Sequence, residues 1–271
     1  MILKNKKLLV ITSLLTLLPI PVGLLLWNRF PETMAVHFGM SGQADGYGSP
    51  SFVVFVLPLI MLAFQWVCIL AASLDKRNQS RNQKMQKLVL WILPVVGNLS
   101  IFGIYALALG WKFSPVAWTL IPMGMMFVGI GNYLPKTRMN ATMGIKIYWA
   151  YTSEENWNAT HRFAGRVWVI CGGLMMLSAL LPGKWAVTVM LFSFIPMVAA
   201  PVLYSWLYYK KQLARGDELK AVPTTHKKAG KAGSSIGILI LLLCAVLMFT
   251  GNVEVTFGDT AFTVDATYHE A

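Results

Sequence analysis

Charge is scarce in this sequence. Only 13% of its 271 residues are Asp, Glu, Lys or Arg, and none of them falls in the middle of an apolar run. Soluble domains carry about a quarter charged residues, interleaved with apolar ones along their helices. A bilayer forces the two apart, because a charge at its centre costs about 3 kcal/mol or more. The scarcity therefore excludes an ordinary soluble domain. The lack of any ionisable group at mid-span also argues against a proton- or ion-coupled pump, which normally carries one there. Cysteine is sparse too: Cys68, Cys171 and Cys244 all lie inside apolar runs, with neither metal-site spacing nor a disulfide framework. They read as small packing residues.

What the chain has in abundance is apolar surface, 56% of all residues. Seven segments approach the roughly 20 residues that cross the hydrocarbon: Leu8–Trp27, Phe52–Leu74, Leu88–Leu109, Pro115–Leu134, Phe163–Leu181, Trp185–Tyr209 and the shorter Ser234–Thr250. The expected fold is an all-α, polytopic transmembrane helix bundle with the lipid bilayer as its main partner. The first run follows Lys4-Asn5-Lys6-Lys7 like a secretory leader. Its length, Pro19 and Pro21, and the ending Trp27-Asn28-Arg29 without a small-residue cleavage pattern favour a retained helix.

Basic residues sort by loop. The N-terminus, residues 75–87, residues 135–166 and residues 210–231 carry 3, 5, 5 and 7 Lys or Arg, whereas the alternate connections carry only Arg29, Lys112 and Lys184. The positive-inside rule then places the N-terminus in the cytoplasm and, after seven spans, the C-terminus outside. The net charge of +12 is a topology signal with some attraction to anionic headgroups, not a nucleic-acid footprint. On this topology the four histidines (His37, His161, His226, His269) fall outside, inside, inside and outside. His226 sits in a basic, linker-like stretch, so neither a His-based metal site nor a catalytic set is expected, and no cofactor. The Asn-X-Ser/Thr triplets at Asn78, Asn98, Asn140 and Asn158 lie inside or within spans and signify nothing.

The parts expected are a two-span unit (1–74) with a patterned outer loop (28–51), a four-span unit (75–209) containing a second patterned loop (131–166), a basic linker (210–233), a seventh span (234–250) and an outer tail (251–271). Prolines and glycines inside spans (Pro94 with Gly97 and Asn98, Pro122 with Gly124, Pro196 with Pro201) interrupt helical hydrogen bonding. Broken helices serve transporters, but such residues are also common in membrane helices generally.

In the outer loop, Glu32–Phe38 alternates like a short strand, and Gly39, Gly42, Asp45-Gly46 and Gly48 punctuate a turn-rich hairpin. His37 and Asp45 are candidates for an outer contact. The plainer reading is a hairpin whose Asp45 makes an Asx-type turn. In the inner loop, Pro135 stops the fourth helix, and Thr152 with Glu155 three residues on reads as a capping box. A helix starting at Ser153 should then run unbroken into the fifth span. Helical spacing puts Trp157, His161, Gly165 and Trp168 on one face and Glu154, Asn158 and Arg162 on another. Either Trp149, Trp157, His161 and Arg162 form a cytoplasmic contact surface, or the aromatics anchor an otherwise solvated polar face at the interface.

The stretch from Gly131 to Arg166 resembles the signature of the SdpI family of bacterial membrane proteins. The matching positions are Gly131, Asn132, Tyr133, Pro135, Lys136, Asn140, Gly144, Lys146, Trp149, Ser153, Glu155, Trp157, Thr160, His161, Arg162 and Gly165. Lys146 stands where Arg is usual, and Ile147-Tyr148 replaces a common Thr-Pro. The outer loop (Pro31, His37, Phe38, Gly42, Asp45, Gly46) is similar to an uncharacterised N-terminal domain that often accompanies the signature. The resemblance implies a non-enzymatic, multi-pass protein of the bacterial cell membrane. Its role would be immunity against a secreted toxin peptide outside, membrane sequestration of a cytoplasmic transcriptional repressor, or both. The signature residues would be the inner contact and His37 with Asp45 the outer one. A small-molecule or peptide transporter is the alternative, and it lacks a polar midplane site. Finally, Val253–Tyr268 alternates around Gly258-Asp259 and reads as a β-hairpin, which must pair with the outer loop, another chain or a larger β domain because one hairpin is marginal in water.

Overall fold

The computed structural model describes residues 6–39, 42–74, 83–140 and 142–219. The expected seventh span, the basic linker beyond Leu219 and the alternating tail lie outside the described residues. The described helices are α1 (Lys6–Thr16), α2 (Pro19–Leu26), α3 (Leu57–Leu74), α4 (Gln83–Ala108), α5 (Pro115–Tyr133), α6 (Glu154–Ser178) and α7 (Gly183–Ala214). Among the described residues, five helical segments are long and apolar enough to cross a membrane: Lys6–Arg29, Phe52–Ser73, Lys84–Ala108, Pro115–Lys136 and Gly183–Ala214. The expected fifth span falls in α6, whose first half is too polar to join that group and whose helix ends at Ser178 rather than Leu181. Large apolar side chains face outward along these helices, with Leu25 at 86% and Phe192 at 67% exposure. Such faces suit lipid.

The first span is broken where the sequence dictates. Pro19 has no N–H to give to the carbonyl of Leu15, four residues back. The chain tightens there, with Leu18 N–H reaching Leu15 O at 3.1 Å. The Asn98 side-chain amide of α4 also donates to Leu15 O at 2.8 Å, and Tyr105 O–H of α4 donates to Pro19 O at 3.0 Å. A carbonyl stranded in hydrocarbon costs several kcal/mol unless something donates to it, so these bonds fix α1 and α2 on α4. By contrast Pro94, Pro122, Pro196 and Pro201 do not end their helices: α4, α5 and α7 continue through them. Met197, four residues before Pro201, receives the Trp168 indole N–H of α6 at 3.0 Å.

Between the first two spans lies the expected hairpin, β1 (Met34–Phe38) against β2 (Ala44–Gly48), antiparallel with bulges around His37. Met34 is fully buried against Val53, Val54, Ile101 and Tyr105, so the hairpin is plugged onto α4 and onto the π-helical turn Phe52–Val56 that precedes α3. Asp45 does not make the expected Asx turn. It reaches across the hairpin, with Oδ1 at 2.5 Å from His37 Nδ1, because the bulges pair His37 with Gly46 and Phe38 with Ala44 and leave Asp45 between them, beside His37. Deeper, Thr16 donates to Gln65 Oε1 (2.6 Å) and Gln65 donates to Thr12 Oγ1 (3.1 Å). This closed polar trio locks α1 to α3.

Helices α5, α6 and α7 form the second half. α5 and α6 approach through two glycine pairs seven residues apart. A methyl group at Gly165 would lie 2.7 Å from the Gly131 carbonyl oxygen, and one at Gly172 would lie 2.8 Å from that of Gly124. Small residues at such spacing let backbones touch, which is how membrane helices gain packing without a hydrophobic drive. α7 spans 32 residues, or about 48 Å at 1.5 Å per residue. That exceeds a hydrocarbon layer of about 30 Å, so α7 carries its last turns past the membrane to meet the start of α6.

Candidate functional site

The loop between α5 and α6 is built inward. α5 ends in a short 3₁₀ turn, Leu134–Lys136, at the Pro135 stop, and the Lys136 ammonium lies 4.4 Å over the Tyr133 ring. Asn140, fully buried, then organises the loop. Its amide donates to the carbonyls of Arg138 (2.7 Å) and Met143 (3.0 Å), and its oxygen accepts from the backbone N–H of Thr142 (2.9 Å) and Met143 (2.6 Å). The Tyr151 hydroxyl donates back to Asn140 O at 2.8 Å. Gly144 takes φ +100, where side chains are strained, and a methyl there would strike His161 Nε2. Only glycine lets the loop lie on that ring.

A second 3₁₀ turn, Trp149–Thr152, leads into α6. The cap is Ser153, whose Oγ accepts from Asn156 N–H at 3.0 Å. The N-cap therefore sits one residue later than expected, and no reciprocal capping-box bond forms, because the Asn156 side chain is engaged by Thr160 and Ser205. Thr152 Oγ1 is committed to Trp149 O at 2.7 Å, and Glu155 points away toward α7.

Trp157 and His161 are fully buried. The Trp157 indole donates to Thr137 O at 2.8 Å, and its ring stacks on His161 with centroids 4.1 Å apart. His161 Nδ1 lies 2.7 Å from the Trp157 carbonyl, which can only accept. Nε2 receives the backbone N–H of Ile145 at 2.9 Å. These two bonds specify the neutral ring with its proton on Nδ1. Burial pushes its pKa down to about 4, offset in part by the Trp157 carbonyl. Thr160 and Ser205 both donate to Asn156 Oδ1 at 2.9 Å, and the Asn156 amide donates to Ser205 O at 3.0 Å. The carboxylate of Glu155 accepts from the Tyr208 hydroxyl and from Gln212 (3.2 Å), with Arg215 at 3.9 Å. Gln212 Oε1 in turn accepts from Ser153 at 3.0 Å. The loop thus clasps α5, α6 and α7 together.

The signature positions divide accordingly. Asn140, Trp157, Thr160, His161 and Gly165 are interior, with Gly144 pressed on them. Asn132, Pro135, Lys136, Lys146, Glu155 and Arg162 are exposed, while Tyr133 and Trp149 are half-buried. The imagined contact surface of Trp149, Trp157, His161 and Arg162 is not one surface, because loop 137–152 covers two of its members. Nor is Trp157 an interfacial anchor. Helical periodicity could show that Trp157 and His161 share a face, but not that a loop folds over it. The face bearing Glu154 and Asn158 does reach the surface. With Arg138, Met139 and the edge of Trp157 it lines an open cavity of about 360 Å³. Asn156, Tyr208 and Gln212 carried no sequence signal for the α6–α7 contact, since their partners across it are 49 to 59 residues distant.

A sequence model of the SdpI/YfhL protein family matches residues 136–205, and one for a domain of unknown function (DUF1648) matches residues 14–62. The chain is 21% identical over 206 residues to "Immunity protein SdpI" of Bacillus subtilis (strain 168), covering 74% of this chain and 96% of that protein. No solved structure matches. The family segment coincides with the loop, α6 and most of α7, and the other with the broken first span, the hairpin and the start of α3. With five span-capable helices among the described residues, the chain is a multi-pass cell-membrane protein that is similar to the SdpI family over residues 136–205, with a DUF1648 match ahead of that segment.

Proposed function

We propose that this protein defends its cell against a secreted membrane-active peptide and reports the peptide's presence to a cytoplasmic repressor. The observation that carries the reading is the alignment along 96% of a relative named as an immunity protein. The positive-inside rule puts the hairpin, with His37 and Asp45, on the outer side and the signature loop on the inner side. Met34 ties the hairpin to α4, so a peptide engaging the hairpin or the spans has a route into the helices. For a signal, the peptide must bind one arrangement of the helices better than another. The inner surface available to a partner is the exposed rim of the signature loop: Lys136, Arg138, Glu154, Asn158 and Arg162. The buried Trp157–His161 stack holds that rim in shape.

The test expresses the protein in a sensitive host and challenges it with the secreted peptide encoded beside it. Survival is expected, and no protection against any co-encoded peptide overturns the reading. The double substitution Arg138→Glu, Arg162→Glu tests the reporting half. Survival should persist while the co-encoded repressor no longer sediments with membranes after peptide exposure. If recruitment is unchanged, the rim is not the contact.

A further inference from the structure

We infer that the groove between the Trp149–Thr152 turn and α7 binds one anionic phospholipid of the inner leaflet, with an acyl chain in the groove and the phosphate at Lys210. The groove is an open cavity of about 330 Å³ lined by Trp149, Ala199, Val202, Leu203 and Trp206. The four α7 residues recur at helical spacing on a single face. Among these side chains only the two indole N–H groups are polar, so water gains few hydrogen bonds there. The volume lies at the low end of the about 300–1,000 Å³ of ligand cavities, which suits part of one chain rather than a whole lipid.

Depth and charge identify the occupant. Counted from Trp185 at the outer end of α7, about 20 residues of helix cross the hydrocarbon. That places Trp206 at the inner interface, where tryptophan rings settle. The Lys210 ammonium, one turn further on, lies 4.2 Å from the centre of the Trp206 ring. Among the described residues Lys210 has no carboxylate within ion-pair distance, whereas Arg215 stands 3.9 Å from Glu155. Lys210 is exposed and followed by Lys211. The rim is thus a cation held on an aromatic wall beside an apolar trough, the complement of a phosphate above its acyl chain. Trp149 belongs to the turn that leads into α6, so the lipid lies along the same seam that the Ser153–Gln212 bond closes. The inference rests on the orientation of α7 and not on the immunity reading.

The test titrates the full-length protein in detergent with phosphatidylglycerol or phosphatidylcholine and counts bound lipid by native mass spectrometry. One phosphatidylglycerol should be retained, in preference to phosphatidylcholine. Lys210→Gln should weaken it about fivefold, the worth of one cation near a lipid surface, and erase the preference. Ala199→Phe and Leu203→Trp, both at exposed positions, fill the groove and leave Lys210 intact. Each should weaken both lipids about tenfold, the equivalent of roughly two buried methylenes. Lys184→Gln, which removes a cation at the outer end of α7, is the control and should change nothing. Equal losses for Lys184→Gln and Lys210→Gln indicate diffuse attraction. Wild-type affinity in both groove variants places the lipid elsewhere, and no lipid on the wild type means a groove that is empty or covered by protein. Each of these overturns the proposal. Thermal midpoints without added lipid check that every variant is folded, and Lys210→Gln decides alone should both groove variants unfold.

Discussion

The imidazole of His161 receives the backbone N–H of Ile145 at 2.9 Å. One ring nitrogen of α6 thereby holds the centre of the preceding loop, and a proton on that nitrogen abolishes the bond. The folded pKa is depressed to about 4 from an ordinary value of about 6.5. Between those values the unfolded chain binds more protons than the folded one. The stabilisation is therefore complete above pH 6.5 and is lost as pH falls toward 4, by about 3 kcal/mol in all. Thermal midpoints in detergent should fall over that window, and His161→Asn should flatten the slope. A wild-type profile flat from pH 7 to 4 contradicts the assigned tautomer.

Asn140→Asp tests the loop's organiser. Aspartate keeps the acceptor for the Thr142 and Met143 amides but cannot donate to Arg138 O and Met143 O, and it buries a charge. A loss of about 2–4 kcal/mol is expected. Proteolysis within residues 137–152 should appear while the helix content measured by circular dichroism stays the same.

Gly165→Leu should separate α5 from α6. The methyl of even an alanine would meet the Gly131 carbonyl at 2.7 Å and Pro135 at 2.9 Å, so backbone, not a flexible side chain, would have to move. Overpacking of this kind costs about 1–3 kcal/mol or more. Gly173→Leu serves as the control, because nothing lies within 4 Å of its missing Cβ. Equal thermal shifts for the two variants would refute the close crossing.

Asn98 and Pro19 should be energetically coupled. Asn98→Ala leaves the Leu15 carbonyl without its side-chain donor and should cost about 1–2 kcal/mol. With Pro19→Ala the backbone regains an N–H for that carbonyl, so the second loss should be smaller. A double-mutant cycle should give a coupling of about 1 kcal/mol; additivity would separate the two residues.

Glu155→Gln should matter little for stability. The carboxylate is 55% exposed beside Arg215, and exposed pairs contribute about 0–1 kcal/mol. Glutamine can still accept from Tyr208, so a thermal shift larger than that of Asn140→Asp would mean the contact is more enclosed than it looks.

For five of the seven expected spans, charge alone marked the ends of the span-capable helices to within a few residues, because charge cannot be hidden in hydrocarbon. The sequence by itself also determined the outer hairpin, whose glycines and alternation are local signals, the stop at Pro135, and the unbroken helix from residue 154. The expected first span stands as a span-capable segment, Lys6–Arg29, but the break at Pro19 that Asn98 and Tyr105 repair was not legible from the run alone. The tertiary structure decided which signature residues are inside. Trp157 and His161 have the amphipathic rings of an interfacial contact, yet Gly144 and Asn140 fold a loop over them. Only contact partners far along the chain distinguish a covered face from an open one. The same holds for Glu155, assigned by local pattern to a cap and by packing to the end of α7. Short-range hydrogen bonding is written in neighbouring residues, whereas burial depends on what the rest of the chain brings alongside.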